Sequence, residues 1–305
     1  MRRYIVRRIF QGIFCVIGVS IIIFVATRLS GDVSLLLLPQ DAKPEDFVRV
    51  RAELHLDKPL WEQYLIFASK AVRGDFGDSY RWHQPAIKLV LERMPATIEL
   101  ALVALAFTAT TSIAVGTLSA LKPGSLFDTV GKTFAMLGQA IPSFWLGIVL
   151  ILFFSVQLRL LPSAGRGDWR NFIMPAISLG WYSVAAQTRM VRSSMLDVLD
   201  SEYIKLGRVL GIPERLVIFK YGLRNALIPV LTLMGIQWAA LLGGSVIVET
   251  IFAWPGVGRT IVEAIWARDY QVVQAGVFMT SCFFIFFNLL VDVLYAVVDP
   301  RIRYS

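Results

Sequence analysis

Six stretches of this chain, residues 9–27, 100–121, 133–158, 171–188, 225–248 and 271–291, contain no Asp, Glu, Lys or Arg at all. Each is long enough, at roughly 20 residues, to cross the hydrocarbon layer of a bilayer as a helix, with its backbone polar groups satisfied inside the segment. The expected fold class is therefore an all-α membrane protein with six transmembrane helices. An apolar share of 56% against 17% charged residues is too high for a soluble domain and agrees with that reading. The fourth run carries Pro175, Gln187 and several small polar groups, so shielding by neighbouring helices is expected there. The sixth run continues past Asp292 to Val298, which leaves an acid within a span, where it needs a partner or water. The first run is too long for a removed signal peptide and lacks the small-residue cleavage pattern, so it is read as a mature helix.

The loops orient the chain. Arg2, Arg3, Arg7, Arg8, Lys122, Lys132, the seven basic residues of 189–224, Arg301 and Arg303 all fall on one side, fifteen in total. Cytoplasmic loops hold the Lys and Arg excess, so that side, and with it both termini, is expected to be cytoplasmic. A net charge of +8 distributed in this way fits membrane orientation and excludes nucleic-acid binding as a function. Cys15 and Cys282 lie in apolar runs and imply no disulfide scaffold. His55 and His83, the only histidines, stand 28 positions apart with no second ligand at metal spacing, so a solvated loop role is expected and no metal site. Gly131-Lys132-Thr133 echoes the end of a phosphate-binding loop, but Leu126 stands where the first glycine is needed. No nucleophile has a histidine and an acid beside it, so no catalytic residue is assigned.

Residues 29–96 mix acids, bases and aromatics and read as a small extracytoplasmic subdomain, between 1–28 (N-terminus and first helix) and a core over 97–305. A helix is predicted over 43–56, with Pro44 in its first turn and Asp46, Arg49 and Glu53 on the wet face. Arg73-Gly74-Asp75-Phe76-Gly77-Asp78-Ser79 is turn chemistry with left-handed backbone at its glycines. The inner loop, 189–224, is too long for a simple turn and is patterned as helix, break, helix. Asp200 or Ser201 caps a helix through about Leu210. Tyr203, Leu206 and Leu210 share one face of it, and Glu202, Lys205 and Arg208 the other. Gly211-Ile212-Pro213 stops that helix, and a second from Glu214 leads into the fifth span. The pattern alone leaves open whether the first helix rests on lipid headgroups or docks into a partner.

Lys205-Leu206-Gly207, three residues, then Gly211 resembles the cytoplasmic EAA motif of ATP-binding-cassette importer permeases, although only Gly211 and the small Gly207 match its general form. The likeness extends through Arg224-Asn225-Ala226-Leu227-Ile228-Pro229, Ile141-Pro142-Ser143-Phe144-Trp145-Leu146-Gly147, Glu249-Thr250-Ile251-Phe252-Ala253-Trp254-Pro255-Gly256-Val257-Gly258-Arg259 and the terminal Asp299-Pro300-Arg301-Ile302-Arg303. Together these resemble the first permease subunit of the dipeptide/oligopeptide/nickel branch. Ser30-Gly31-Asp32-Val33 keeps only the central pair of that branch's Pro-Gly-Asp-Pro. The resemblance implies a type I importer permease fold in the bacterial inner membrane and a channel-forming, non-catalytic role in moving peptide-like solutes. Glutathione, a nickel chelate or an oligosaccharide is the alternative cargo. It implies as partners a homologous second permease, an extracytoplasmic solute-binding protein and two ATPases, which bind the ATP and magnesium. No cofactor is expected on this chain.

On that resemblance the inner helix is a coupling helix, with Asp200, Glu202, Tyr203, Lys205, Leu206, Gly207, Arg208, Leu210 and Gly211 as its ATPase-coupling residues. Glu202, Lys205 and Arg208 are expected to pair with charges on the partner's rim. Gln139, Gln237, Asn288 and Asp292 are the polar candidates for the pathway, against the plainer use of such groups in helix packing. Gly243-Gly244 permits close helix approach and is a candidate for an outer gate. Phe252 to Gly258 combines aromatics with turn formers and is expected to fold into the outer mouth, where a delivery protein can meet it. A stand-alone secondary transporter would require a complete path in one chain, often with an inverted repeat, and no repeat is visible.

Overall fold

The computed structural model describes residues 2–29, 43–53 and 56–298. The Ser30–Val33 stretch, His55 and the terminal Asp299–Arg303 motif lie outside the described residues. What is described is almost wholly helical: α1 (Arg2–Leu29), α2 (Pro44–Glu53), α3 (Leu60–Val72), α4 (Ala86–Leu121), α5 (Leu126–Ala140), α6 (Ser143–Leu150), α7 (Arg170–Leu199), α8 (Glu202–Val209), α9 (Glu214–Leu216), α10 (Arg224–Ile251), α11 (Val257–Trp266) and α12 (Tyr270–Val298). Two π-helical segments, Ile151–Gln157 and Val217–Leu223, continue α6 and α9.

Among the described residues, four helical stretches are long and apolar enough to cross a membrane: Val6–Leu29, Ala86–Leu121, Glu214–Trp238 and Tyr270–Val291. A fifth forms only if α5 and the α6 segment are taken as one span, and these are bent by 107°. The run 133–158 is thus not a straight helix. Ile141 leaves the helical conformation (φ −90°, ψ 118°) ahead of Pro142, because the residue before a proline is driven out of the α region. The fourth expected span lies in α7, which is 30 residues long but less apolar than the others. Met174, Leu179, Val184, Gln187 and Val191 are all buried along it, so neighbouring helices shield its polar groups.

The chain forms two compact units, residues 1–95 with 255–305, and residues 96–254. In the first unit α1 packs on α12 so closely that a Cβ at Gly12 would stand 2.8 Å from Ile285. Gln274 donates to the Thr27 hydroxyl at 2.7 Å between the same helices. Asp269, 1% exposed, precedes α12 and accepts from the Ser79 hydroxyl at 2.5 Å and the Arg81 N–H at 3.2 Å. The turn expected at 73–79 is present, with Gly74 and Gly77 both at positive φ.

In the second unit Leu100, Ala104, Met174, Leu179, Leu241, Val248, Phe252 and Trp254 form the main core. Close helix approach depends on glycines other than the pair singled out above. A Cβ at Gly116 would meet Val191 at 2.7 Å, at Gly138 Ala185 at 2.7 Å, and at Gly180 the Thr108 hydroxyl at 2.6 Å. At Gly243 it would meet nothing within 4 Å, and at Gly244 only Leu179 at an ordinary 3.5 Å. Phe252 and Trp254 are 1% and 0% exposed, the indole donating to the Ala96 carbonyl at 2.9 Å. These two aromatics therefore serve the core of this unit and offer no surface to a delivery protein.

Candidate functional site

The 189–224 loop is built as expected, helix, break, helix, but its ends are made differently. Ser201 stands at the N-cap of α8 in extended backbone (φ −67°, ψ 150°), yet its hydroxyl donates backwards to the Val198 carbonyl. No side-chain cap forms; Asp200 turns instead to the Lys205 ammonium, 3.1 Å away. At the other end Gly211 adopts φ 74°, its N–H bonding to the Arg208 carbonyl at 3.0 Å while the Ile212 N–H reaches the Gly207 carbonyl at 3.1 Å. That paired closure is a Schellman motif, which favours a residue without a Cβ at the left-handed position. Pro213 then starts α9.

α8 is anchored by one residue and presents the rest. Ile204 is 1% exposed, whereas Tyr203, Leu206 and Leu210 stand 46%, 58% and 70% exposed on the opposite side. Together with Gly207, Ile212 and Tyr221 they border a cavity of about 240 Å³. A Cβ at Gly207 would meet only Ile212 Cδ1, at 3.6 Å, so this position opens onto the groove. Val209, at 84%, extends the apolar surface, although it falls among the charged positions on the helical wheel.

The charged side chains of α8 find partners within the loop. Lys205 pairs with Asp200 at 3.1 Å and Glu202 at 3.2 Å, and Arg208 with Glu214 at 2.8 Å. A helix so short braces its fold by pairing its own flexible side chains, which stay exposed. The Asp200 and Glu202 carboxylates beside Lys205 push that ammonium above its ordinary value. A raised ammonium contributes stability below its unfolded pKa and loses it only as pH rises through the higher, folded one. Hydrogen exchange of the 202–210 amides is accordingly expected to be unchanged, after correction for intrinsic rate, between pH 5 and pH 8.

Two contacts tie the loop to the membrane helices. Asn225, in the first turn of α10, donates to the Tyr203 hydroxyl at 3.1 Å and to the Tyr221 carbonyl at 2.8 Å. Near the end of α7, Arg192 donates to both carboxylate oxygens of Asp128 in α5, at 2.6 and 3.0 Å. Asp128 is 0% exposed and also receives the Gly124 N–H at 2.9 Å and Lys132 at 2.8 Å. Neither Asn225 nor the Asp128–Arg192 pair was singled out as a functional residue. Asn225 lies in a quoted motif, but residues 64 positions apart carry no spacing signal.

The pathway candidates are divided between the two units, Gln139 and Gln237 in one and Asn288 and Asp292 in the other. Gln237 is 8% exposed and accepts from the Gln187 amide at 2.6 Å; the Ser112 hydroxyl donates to Gln187 at 3.2 Å. That chain accounts for its polarity by helix packing. Asn288 donates to the Phe284 carbonyl one turn back, at 3.0 Å. Gln139 is half-buried just before the break at Pro142. Asp292 is in α12, but its side chain lies outside what is described.

Comparison with known proteins follows the same lines. Residues 112–304 match the model of the binding-protein-dependent transport system inner membrane component family, and residues 1–101 match that of its N-terminal region. The chain is 38% identical to the glutathione transport system permease protein GsiC of Escherichia coli (strain K12) over 306 residues, covering 100% of both chains. It is 39% identical to the protein of the same name from Pectobacterium atrosepticum, again over 100% of both. Among solved structures it resembles the MetNI methionine ABC transporter in inward-facing conformations (TM-score 0.55, 17% identity, 69% of this chain and 96% of that one). It also resembles an amino acid ABC transporter with histidines (TM-score 0.53, 15% identity, 70% and 94%). At such identities these two likenesses concern the fold alone.

Proposed function

The chain belongs to the binding-protein-dependent transport system inner membrane component family, and from that premise we propose that it forms one half of the translocation path of an ATP-binding-cassette importer for peptide-like solutes. Glutathione, itself a short peptide and the solute named for its relatives, is the first cargo to test; a nickel chelate and an oligosaccharide follow. The partners are a homologous second permease, two ATPases that bind ATP and magnesium, and a solute-binding protein outside. The chain is multi-pass in the bacterial inner membrane with both termini in the cytoplasm, in keeping with the fifteen basic residues of one side.

The observation that carries the coupling role is the exposed apolar face of α8. Tyr203, Leu206, Val209 and Leu210 lie uncovered on a helix held by Ile204, and an apolar helix face of this kind seats in a hydrophobic groove. Movement of such a seated helix has two rigid outlets. One is the Tyr203–Asn225 hydrogen bond into α10, and the other is the direct run back into α7, braced by Arg192 on Asp128. ATP-driven closure of the partners would bias these helices between inward-open and outward-open states.

Purification in mild detergent tests the proposal: ATPases should co-isolate, and reconstituted uptake should need ATP and a binding protein. Uptake by the lone chain driven by an ion gradient would overturn it. For the gate, a Cβ at Gly243 meets open space and one at Gly244 only ordinary contact with Leu179, so the variant to test is Gly243→Leu with Gly244→Leu. The expected result is intact assembly with uptake reduced severalfold, because the obstruction falls on the partner-facing side; normal uptake would remove the gate.

A further inference from the structure

We infer that α3 is a helix lying in the outer leaflet of the bilayer, its exposed stripe covered by lipid acyl chains. The segment that contains it has no run of spanning length and reads as water-exposed, but its contacts with α1 say otherwise. α1 is a membrane span over Val6–Leu29. The Tyr64 hydroxyl lies 2.9 Å from the Ser20 hydroxyl, and the Phe24 ring sits 5.6 Å from both Tyr64 and Phe67. Ser20 is nine residues before Leu29, about 13 Å down a helix rising 1.5 Å per residue, within a hydrocarbon layer ~30 Å thick. α3 therefore crosses α1 well inside the leaflet on the side of residues 29–96, the outer one by the distribution of Lys and Arg.

The far side of α3 has the chemistry that depth requires. Trp61, Leu65 and Val72 are 66%, 57% and 86% exposed and share one stripe of the helix. Ser69, the polar residue on that stripe, donates its hydroxyl to the Ile66 carbonyl at 2.8 Å, so it brings no unpaired donor into lipid. Of the ionic groups, Glu62 borders the stripe and Lys70 lies opposite it. Glu62 pairs with Lys58 ahead of the helix at 2.5 Å, and Lys70 borders, with Gln63 and Arg28, a cavity of about 180 Å³ on the other side. The stripe is continuous in character with the exposed Phe14 and Ile22 of α1, which a spanning helix turns to lipid. A helix apolar on one side, polar on the other and with a tryptophan at its edge is the form that lies in a membrane interface. A soluble binding protein, stopped at the headgroups, does not reach it.

The test is nitroxide depth measurement on the full-length chain, with whichever subunits co-purify, in liposomes. With Cys15 and Cys282 replaced by alanine, a spin label is placed in turn through Leu65→Cys, Val72→Cys and, as a water reference, Lys58→Cys. The positions at 65 and 72 are exposed, so labelling leaves the packing intact. Collision with oxygen relative to chromium oxalate should be severalfold higher at 65 and 72 than at 58. Chromium collision at 65 and 72 equal to that at 58 would put the stripe in water; protection from both reagents would mean a protein covers it. Either result overturns the proposal. The readout needs no transport, so it stands or falls separately from the importer reading.

Discussion

A tryptophan in place of Gly207 is expected to strip the ATPases from the purified complex and to lower ATP-driven uptake by about tenfold or more. A tenfold loss corresponds to about 1.4 kcal/mol, and obstructing the centre of a helix-in-groove contact commonly exceeds ~2 kcal/mol. The structure separates this effect from damage to the helix. Glycine is a poor helix former, about 1 kcal/mol below alanine, so any other ordinary residue at 207 favours α8 itself. A Cβ there has ordinary clearance, 3.6 Å from Ile212. Gly207→Ala should therefore retain assembly while Gly207→Trp, whose indole fills the groove beside Leu206 and Leu210, should not. Co-purification and reconstituted uptake of the two variants give the answer. Full assembly and uptake in the tryptophan variant would mean that nothing docks at this face.

How much of this was legible in the sequence depended on the range of the interaction concerned. The break at Gly211-Ile212-Pro213 was readable because a left-handed glycine followed by proline is a local necessity, and the Schellman closure obeys it. The apolar face of α8 was readable from helical periodicity. The N-cap was not, since Ser201 chooses between two carbonyl and amide partners equally close in sequence, and that choice is made by the turn out of α7. The 107° break at Ile141 was half readable: Pro142 announces a disturbance, but its angle is set by what α5 and α6 pack against. Close helix crossings within the chain were not legible: Gly243-Gly244 is conspicuous as a pair, whereas single glycines at 116, 138 and 180 do the packing opposite residues far away in the chain. The same limit applied to Gln237, whose polarity is answered by Gln187, fifty positions away. A charge-free run records how much apolar surface there is and not which neighbour covers it, and so the fourth run could be placed while its partners could not.

The second large effect is expected at Asp128. Its carboxylate is wholly buried and accepts from Arg192, Lys132 and the Gly124 N–H together. Asp128→Ala takes the acceptor away from all three donors at once and leaves a guanidinium whose side chain is only 22% exposed without its counter-charge, the arrangement that makes breaking one half of a buried pair far more damaging than replacing both. The expected result is a drop of about tenfold in the monodisperse fraction recovered by size-exclusion chromatography. Asp128→Ala combined with Arg192→Leu should recover much of it, because the stranded charge leaves with its partner. Asp128→Asn keeps the volume and one acceptor but not the charge, and should assemble better than it transports. Arg192 lies seven residues before the end of α7, about 10 Å from α8, so a softened brace allows α7 to flex where it should carry the push into α5. If instead the double variant recovers no better than Asp128→Ala alone, the pair is not a unit, and the path from α8 into the membrane runs through Asn225 and α10 alone.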